Sequence, residues 1–396
     1  MEVKQIYGLM NDVTKEVLGE TVVVQEDLGN VVQLGTEFFN QNAMDKYVKS
    51  LVNHIGKMVF VAREYKGGVP SVVMDAWEFG SVLEKVQAEL PNATENETWE
   101  LEDGQSYDPN IFYKPTVTAK FYNDIVTFEV PVSFTDRQVK QSFSNVNQLN
   151  SFISMIYNAV DKSMTVKIES LVMRTINNFI GETVKDDFGA NAQGNSSHIK
   201  AVNLLYRYND IITKGGTDLS VDALTADECL TDAGFLKYAC LIIGLYIKRM
   251  SRISKLFNIG GKARFTPRDY LNVVLHADFT TASQVYLEAD TWHKELVSLP
   301  RYEEVPYWQG SGTDYEFSST GKIDIKTSSG TEITVNGVLG VMFDKDALGV
   351  NIPDRRVTSN YNGKAEFTNN WFKWDARYFN DTNENFVVFF VADATE

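Results

Sequence analysis

The sequence has few of the residues that cross-link small secreted domains or interrupt regular structure. Of its 396 residues, only 2 are cysteine, 9 are proline and 4 are histidine. Cys229 and Cys240 cannot provide a disulfide framework, and their spacing is not that of a Cys-x-x-Cys motif, so we expect free, buried thiols in a reducing compartment. The low proline content also excludes a proline-rich disordered chain.

Long hydrophobic segments are missing as well. The longest apolar run, Ala239–Ile247, has about half of the ~20 residues that are needed to cross a bilayer. Residues 1–19 mix acidic and basic side chains with apolar ones, which is unlike a signal peptide. The sequence therefore predicts no membrane partner and no export through a signal peptide.

Positive charge is scarce relative to negative charge. The chain carries 37 basic and 53 acidic residues, a net charge of −16, together with 24 Phe, 18 Tyr and 6 Trp that can fill a large core. A dedicated DNA-reading protein would carry a basic face. One segment departs from this average, with seven basic residues and no acid: Lys248, Arg249, Arg252, Lys255, Lys262, Arg264 and Arg268. It is either a patch for nucleic acid or another subunit, or a solvated face that balances acidic neighbours.

The sequence contains no catalytic motif that is more specific than a chance match. The histidines lack the i, i+4 spacing of a metal-binding helix, and no Gly-x-Ser-x-Gly elbow marks a nucleophile. We expect an ordinary core or solvated role for His276 and its neighbour Asp278. The segment Asp187–Gly189 matches a kinase motif only by chance, since the companion motifs are missing. We therefore predict no catalytic, cofactor-binding or metal-binding residues and no enzyme activity, with a hydrolase of hidden site as an alternative.

The strongest periodic signal predicts one long helix from Asn145 to Ile180. Asn145 and Gln148 fit an N-terminal capping pair, and Gly181 stands where a C-terminal cap belongs. About 36 residues at ~1.5 Å each give a rod of roughly 54 Å. The apolar residues recur at gaps of three and four: Leu149, Phe152, Ile153, Ile156, Val160, Met164, Ile168, Leu171, Val172, Ile176, Phe179 and Ile180.

Before this helix, alternation in residues 116–134 predicts a long β-hairpin that turns at Tyr122–Asp124. On its second strand one face carries Val126, Phe128, Val130 and Val132. The preceding stretch, residues 75–108, has ten acidic residues and one basic residue, so we expect it to be exposed.

The remaining elements are mixed helices and strands, which favours an α+β fold over a doubly wound sheet. We predict a strand over 21–25 and a short helix over 36–53 near the N-terminus. Further helices are predicted over 198–208, 232–251 and 267–275, the last capped by Thr266. Strands are predicted over 322–327, 332–335, 338–344 and 386–392.

This order of parts resembles the coat proteins of tailed bacteriophages, the Hong Kong 97-type fold. Local similarity to phage coat sequences lies in residues 278–312, 340–349, 359–375, 378–381 and 384–389. The resemblance implies an N-terminal arm and first helix (1–54), an extended loop called the E-loop that contains the acidic segment and the hairpin (55–140), a spine helix of the peripheral domain (141–187), an axial domain (188–340) and a return to the peripheral domain (341–396).

The resemblance implies a major capsid protein that forms hexamers and pentamers of an icosahedral head shell around double-stranded DNA. Its partners would be other copies of itself, a separate scaffolding protein, a portal protein and DNA bound without sequence specificity. It would be assembled in the bacterial cytoplasm and reside in the virion, with no cofactor. A separate scaffolding protein is expected because only about 35 residues precede the first predicted helix, too few for a cleaved scaffolding segment. An encapsulin-like nanocompartment with an enzyme cargo is the alternative.

By the same resemblance, the hairpin lies over a neighbouring subunit. Because aromatic and arginine residues anchor interfaces disproportionately, we also predict that the aromatic and arginine-rich segment near the C-terminus joins the peripheral domain and carries contacts between capsomers. For Trp371 and Phe372 the alternative is packing beneath the spine helix of their own subunit. The predicted subunit-interface residues are Val126, Phe128, Val130, Val132, Arg355, Arg356, Trp374, Arg377 and Tyr378.

Overall fold

A computed structural model describes residues 69–74, 83–91, 93, 103–104, 110–135, 146–189, 191, 193–215, 223–290, 302–308, 322–326 and 330–394. The predicted strand over 21–25, the helix over 36–53, the Asn145 cap and most of the acidic segment lie outside these residues. In the described part of the chain, no helix combines the length and the apolar character that crossing a membrane requires.

The described residues form four α-helices and twelve strands. The helices are α1 (Val146–Phe188), α2 (Leu204–Gly215), α3 (Ala233–Met250) and α4 (Ala277–Asp290). The strands are β1 (Leu83–Ala88), β2 (Val117–Tyr122), β3 (Ile125–Thr135), β4 (Ala201–Asn203), β5 (Leu271–His276), β6 (Glu303–Val305), β7 (Ile323–Lys326), β8 (Glu332–Val335), β9 (Val338–Asp344), β10 (Leu348–Asn362), β11 (Phe367–Asn380) and β12 (Phe386–Phe390).

These strands make a five-stranded sheet, a three-stranded sheet and two ribbons. The five-stranded sheet has the order β4-β12-β9-β5-β6, and the three-stranded sheet has the order β10-β11-β3. The ribbons are the antiparallel pairs β1-β2 and β7-β8. Two short turns, 345–347 and 381–385, lead from one large sheet to the other. The described fold is therefore α+β, as the sequence predicts.

The five-stranded sheet is apolar on both faces, and alternate residues of its strands enter two different cores. Val388, Val341 and Val274 pack in the core that contains α1. Val387 and Met342 pack in the core that contains α3. Because a strand that is buried on both faces needs no polar alternation, these strands read as continuous apolar runs.

Helix α1 is the strut that joins the two large sheets, and its prediction as an uninterrupted helix is confirmed. It packs against β3, β10 and β11 on one side and against β12, β7 and β8 elsewhere along its length. The predicted end was wrong, because the helix continues past Gly181 to Phe188 and closes at Gly189, whose φ of 61° is left-handed. Gly181 instead gives Ile325 of the β7-β8 ribbon room against the helix.

The predicted hairpin over 116–134 was wrong in its pairing, although both strands exist. Strand β2 pairs with β1, whereas β3 pairs with β11, so the Tyr122–Asp124 segment passes from one sheet to another. The strand partner of β2 lies within the stretch that the composition predicts to be an exposed acidic segment. In the sequence, residues 89–116 separate the two paired strands, β1 and β2.

Two of the predicted later helices were wrong. The segment 198–208 contains β4 and the start of α2, and 267–275 contains a short 3₁₀ turn followed by β5. Short apolar runs do not separate a buried strand from a helix by periodicity, which explains the second error. The helix over 232–251 is confirmed as α3, capped by the Asp232 side chain, which accepts a hydrogen bond from the backbone N–H of Phe235. The four predicted strands are confirmed as β7, β8, β9 and β12.

Gly337, in the turn before β9, provides a stability test. Its φ is 62°, and an added Cβ would lie 2.2 Å from the carbonyl oxygen of Val391, which is part of the β12 end of the sheet. Gly330 also has a left-handed φ, 82°, but has open space at the Cβ position. We expect Gly330→Ala to cost about 1–2 kcal/mol from the backbone alone, and Gly337→Ala to cost at least about 1 kcal/mol more. Urea unfolding of both variants measures the difference, and equal losses would contradict the steric argument.

Candidate assembly surface

The β1-β2 ribbon has the reverse of the usual arrangement of polar and apolar faces. In β1, the inward, half-buried positions include Lys85 and Gln87, and in β2 they include Thr118, Lys120 and Tyr122. The opposite face points to water and is apolar except for Glu84. A ribbon that was stabilised by its own chain's hydrophobic core would have these faces exchanged.

The inward face of the ribbon is held by Asp381, whose side chain is 1% exposed. The ammonium of Lys85 lies 3.1 Å from one oxygen of this carboxylate, and that of Lys120 lies 2.9 Å from the other. Burial by itself would raise the pKa of Asp381, but the Lys120 hydrogen bond and the charges of Lys85 and Lys120 bring the pKa below its ordinary value. The Asp381 carboxylate therefore stays ionised at neutral pH.

A second polar network lies beside the first one. Glu384, also buried, accepts a hydrogen bond from Gln87 and lies 3.6 Å from the guanidinium of Arg264, which in turn donates to Gln87. Lys262 pairs with Glu89 just after β1. Arg264 and Lys262, both in the basic segment 248–268, therefore lie beside the carboxylates of Glu384 and Glu89. For these two residues, the structure agrees with the interpretation that the segment balances acidic neighbours.

The outward face of the ribbon is largely apolar, with Glu84 as its one charged residue, opposite Phe121. Val86 is 61% exposed, and Phe121 is 64% exposed. Val86 pairs with Ala119 and Ala88 with Val117 across the ribbon, so the apolar side chains share one face. Leu90 and residues 111–113, which lie between β1 and β2 in the sequence, are exposed as well, and Phe112 is 84% exposed. An exposed, largely apolar surface of this kind marks a site of protein association.

All nine predicted interface residues lie on the three-stranded sheet β10-β11-β3. Phe128, Val130 and Val132 are half-buried and pack against the core that contains α1, and Val126 is also half-buried. Trp374 is buried within the same core.

The arginines among these nine residues contact their own chain. The guanidinium of Arg355 lies 4.4 Å from the Trp374 ring centre, and Arg356 forms an ion pair with Asp375. Tyr378 packs beneath Arg174 of α1, and Arg377 is half-buried. Phe372 is buried beneath α1, as the alternative for that residue predicts.

Sequence reasoning missed the residues that hold the ribbon, Lys85, Lys120 and Asp381. Lys85 stands out in the sequence as the one basic residue among ten acidic ones in residues 75–108. The alternation of polar and apolar residues in β1 was a second signal, which the acidic composition obscured.

A cavity of about 670 Å³ lies elsewhere, at the end of the five-stranded sheet. Its lining includes Cys229, His276, Asp227, Lys322 and Asp393. Burial, with a contribution from Asp393, raises the pKa of the Cys229 thiol to about 12, which disfavours the nucleophilic thiolate. Burial likewise lowers the pKa of His276, against the opposing charge of Asp278. Both cysteines are free, although Cys240 is only half-buried.

A helical strut between two sheets and a ribbon whose apolar face points outward are typical of a structural protein that is completed by contacts with other protein surfaces. The sequence agrees with this class. The profile of the Phi29-like phage major capsid protein family matches residues 10–390. The chain belongs to this family, so it is a structural protein of the phage head shell and its location is the virion. The match does not favour the encapsulin alternative.

Solved phage capsid structures are similar to the chain at low identity. A capsid chain of Staphylococcus phage Andhra is 9% identical, with 84% of this chain and 86% of that chain covered and a TM-score of 0.46. A chain of Mycobacterium phage Che8 is 11% identical, with 83% and 93% covered and a TM-score of 0.39. A capsid chain of the cyanophage P-SCSP1u is 9% identical, with 84% and 90% covered and a TM-score of 0.45. No curated protein matches the sequence. The family assignment rests on the sequence profile.

Proposed function

We propose that this chain forms hexamers and pentamers that close into an icosahedral head shell of the Hong Kong 97 type around the double-stranded DNA of the phage. Assembly takes place in the cytoplasm of the bacterial host. The observation that carries this proposal is the β1-β2 ribbon, which is held by its polar face and presents an apolar face to water. Such a face becomes stable when a neighbouring copy covers it.

Within this proposal the parts of the chain keep the roles that the resemblance implies. Residues 1–54 act as the N-terminal arm, 55–140 as the E-loop, 141–187 as the spine, 188–340 as the axial domain and 341–396 as the return to the peripheral domain. A separate scaffolding protein and a portal protein are its assembly partners. The net charge of −16 keeps the packaged DNA from binding tightly, because non-specific DNA binding requires neutralised phosphates.

The test of this proposal is the assembly state of the full chain. We expect negative-stain images of the expressed protein, alone or with a co-expressed scaffolding protein, to show closed particles built from hexamers and pentamers, and light scattering to report megadalton mass. A protein that stays a monomer or small oligomer under all these conditions would contradict the proposal and favour the hydrolase alternative. Particles filled with a protein cargo and lacking a portal would instead indicate a nanocompartment.

Arg355 and Arg356 test the predicted contacts between capsomers. We expect the double replacement by Ala to lower the yield of closed shells about five-fold, because two arginines at the rim of an interface together contribute on the order of 1 kcal/mol. Sedimentation of assembled particles measures the yield. Lys364→Ala, at an exposed cation in the turn between β10 and β11, is the matched control. Unchanged assembly of the double variant would contradict the prediction that Arg355 and Arg356 contribute to contacts between capsomers.

A further inference from the structure

The Asp381 carboxylate lies where three parts of the fold meet. It begins the 381–385 turn, which leads from β11 of the three-stranded sheet to β12 of the five-stranded sheet. Its backbone N–H donates to the carbonyl of Ala347, 2.6 Å away, in the other turn between these sheets. Its side chain accepts from the backbone N–H of Asn383 and from both lysines of the ribbon. One side chain therefore links the ribbon to the junction of both sheets.

The ribbon lysines are placed so that they need this carboxylate. Lys85 and Lys120 are directly opposite each other in the register of β1 and β2. Two like charges in opposite positions destabilise a strand pair. Each oxygen of Asp381 receives one of the two ammonium groups, which converts a repulsive pair into two ion pairs that share one anion. The side chains also contact the junction itself, because Lys85 donates to the carbonyl of Asp346 and Lys120 to the hydroxyl of Thr382.

Little else fixes the direction of the ribbon. A two-stranded ribbon is marginally stable by itself, and the apolar face of this one makes no core. In the described part of the chain, other contacts of the inward face include the Gln87 and Glu384 network, the Lys85 ammonium over the Phe379 ring and the packing of Tyr122 on Phe379, with ring centres 5.2 Å apart. The two Asp381 ion pairs are the part of this contact that brings charges of the ribbon onto a buried carboxylate of opposite sign.

We propose that Asp381 is a positioning residue for assembly: by binding Lys85 and Lys120 together, it fixes the ribbon to the junction of the two sheets and directs the ribbon's apolar face outward. The contact to a neighbouring copy rests on the proposed shell function, whereas the attachment of the ribbon does not. The rigid ribbon costs less conformational entropy when it docks than a free one would.

Hydrogen–deuterium exchange on dispersed subunits tests the attachment independently of assembly. The double variant Lys85→Met/Lys120→Met should exchange the amides of 83–88 and 117–122 about ten-fold faster than the wild-type chain, because local opening becomes easier. Amides of 171–184 in α1 serve as the internal check that the fold is intact. The double variant Lys85→Arg/Lys120→Arg keeps both charges and should restore slow exchange, and Lys114→Met removes a nearby exposed lysine as the matched control.

Two further variants keep the test decisive. Asp381→Asn removes the shared anion and should resemble the methionine variant. Lys120→Met alone leaves Lys85 on Asp381 and serves if the double variant does not fold, with an expected three-fold increase in exchange. Ribbon exchange that stays within about two-fold of wild type in a folded variant would overturn the proposal.

The assembly arm separates the two proposals. If the wild-type chain forms shells, the methionine variant should form several-fold fewer, and the arginine variant should recover the yield. Equal yields with faster exchange would overturn the role in assembly. If the wild-type chain forms no shells, the proposed function fails, while the exchange measurement still decides whether Asp381 fixes the ribbon.

Discussion

Replacing Phe121 with aspartate should reduce the yield of assembled shells by at least about ten-fold while the dispersed subunit stays folded. The Phe121 ring is 64% exposed on the outward face of the ribbon, so loss of the ring takes little from the stability of the single chain, and the like charge that the aspartate places opposite Glu84 weakens only one cross-strand pair. Burial of a phenylalanine against a neighbour contributes about 1.5–3 kcal/mol, and 1.4 kcal/mol is a factor of ten in an equilibrium constant. An aspartate at the same place would also have to lose its hydration.

Phe121→Leu is the matched variant, since it keeps the apolar character and most of the volume. We expect it to assemble at close to the wild-type yield, as judged by sedimentation and negative-stain counting. Circular dichroism and thermal melting of dispersed Phe121→Asp check that the subunit itself is intact. Shells that form equally well from the aspartate variant would mean that a neighbour does not cover this face.

Helix α1 was predictable because its signal is local. Val160, Met164, Ile168 and Leu171 recur at helical spacing, and every one of them is buried. The end of the helix was harder to predict, because the sequence alone does not distinguish a glycine inside a helix from a glycine at its C-terminal cap. Gly181 is required by contact with Ile325, a residue more than a hundred positions away, and periodicity carries no information about such a neighbour.

The ribbon could be predicted only in part because its pairing is not local. Strand β2 is followed directly by β3, and the shortest connection favours a hairpin between them. The actual partner of β2 is β1, across residues 89–116. The alternation of polar and apolar residues also shows only that the two faces of a strand differ. It does not show which face points inward. The general preference for buried apolar faces gives the wrong orientation here, since Asp381 holds the lysine-bearing face.

The long strands β10 and β11 were missed for a related reason. Their buried positions include Asn351, Thr368 and Asn370, so the inward face lacks the continuous apolar signal of a strand. Pairing over most of their length compensates for this in the folded chain, because the backbone hydrogen bonds of a ladder do not depend on side-chain type. The predicted interface residues that lie on these strands, Arg355 and Trp374 among them, were found through their chemistry without a prediction of the sheet.

Replacing Phe179 with alanine should lower the free energy of unfolding by about 3–5 kcal/mol, the range for deletion of a buried aromatic ring. The Phe179 ring projects from α1 and stacks on Phe386 of β12 with ring centres 4.1 Å apart, and Phe386 in turn stacks on Phe343 of β9. All three rings are almost completely buried. The ring therefore fixes the strut to the five-stranded sheet, and its loss leaves a cavity at the place where the helix joins that sheet.

Lys167→Ala, at an exposed position of the same helix, controls for the change in helix sequence and should alter stability by less than about 0.5 kcal/mol. Urea unfolding of dispersed subunits, followed by circular dichroism, measures both variants. If Phe179→Ala unfolds at the same urea concentration as Lys167→Ala, the helix is not fixed to the sheet by this stack. Because the variant subunit is less stable, we also expect Phe179→Ala shells to break at lower temperature than wild-type shells.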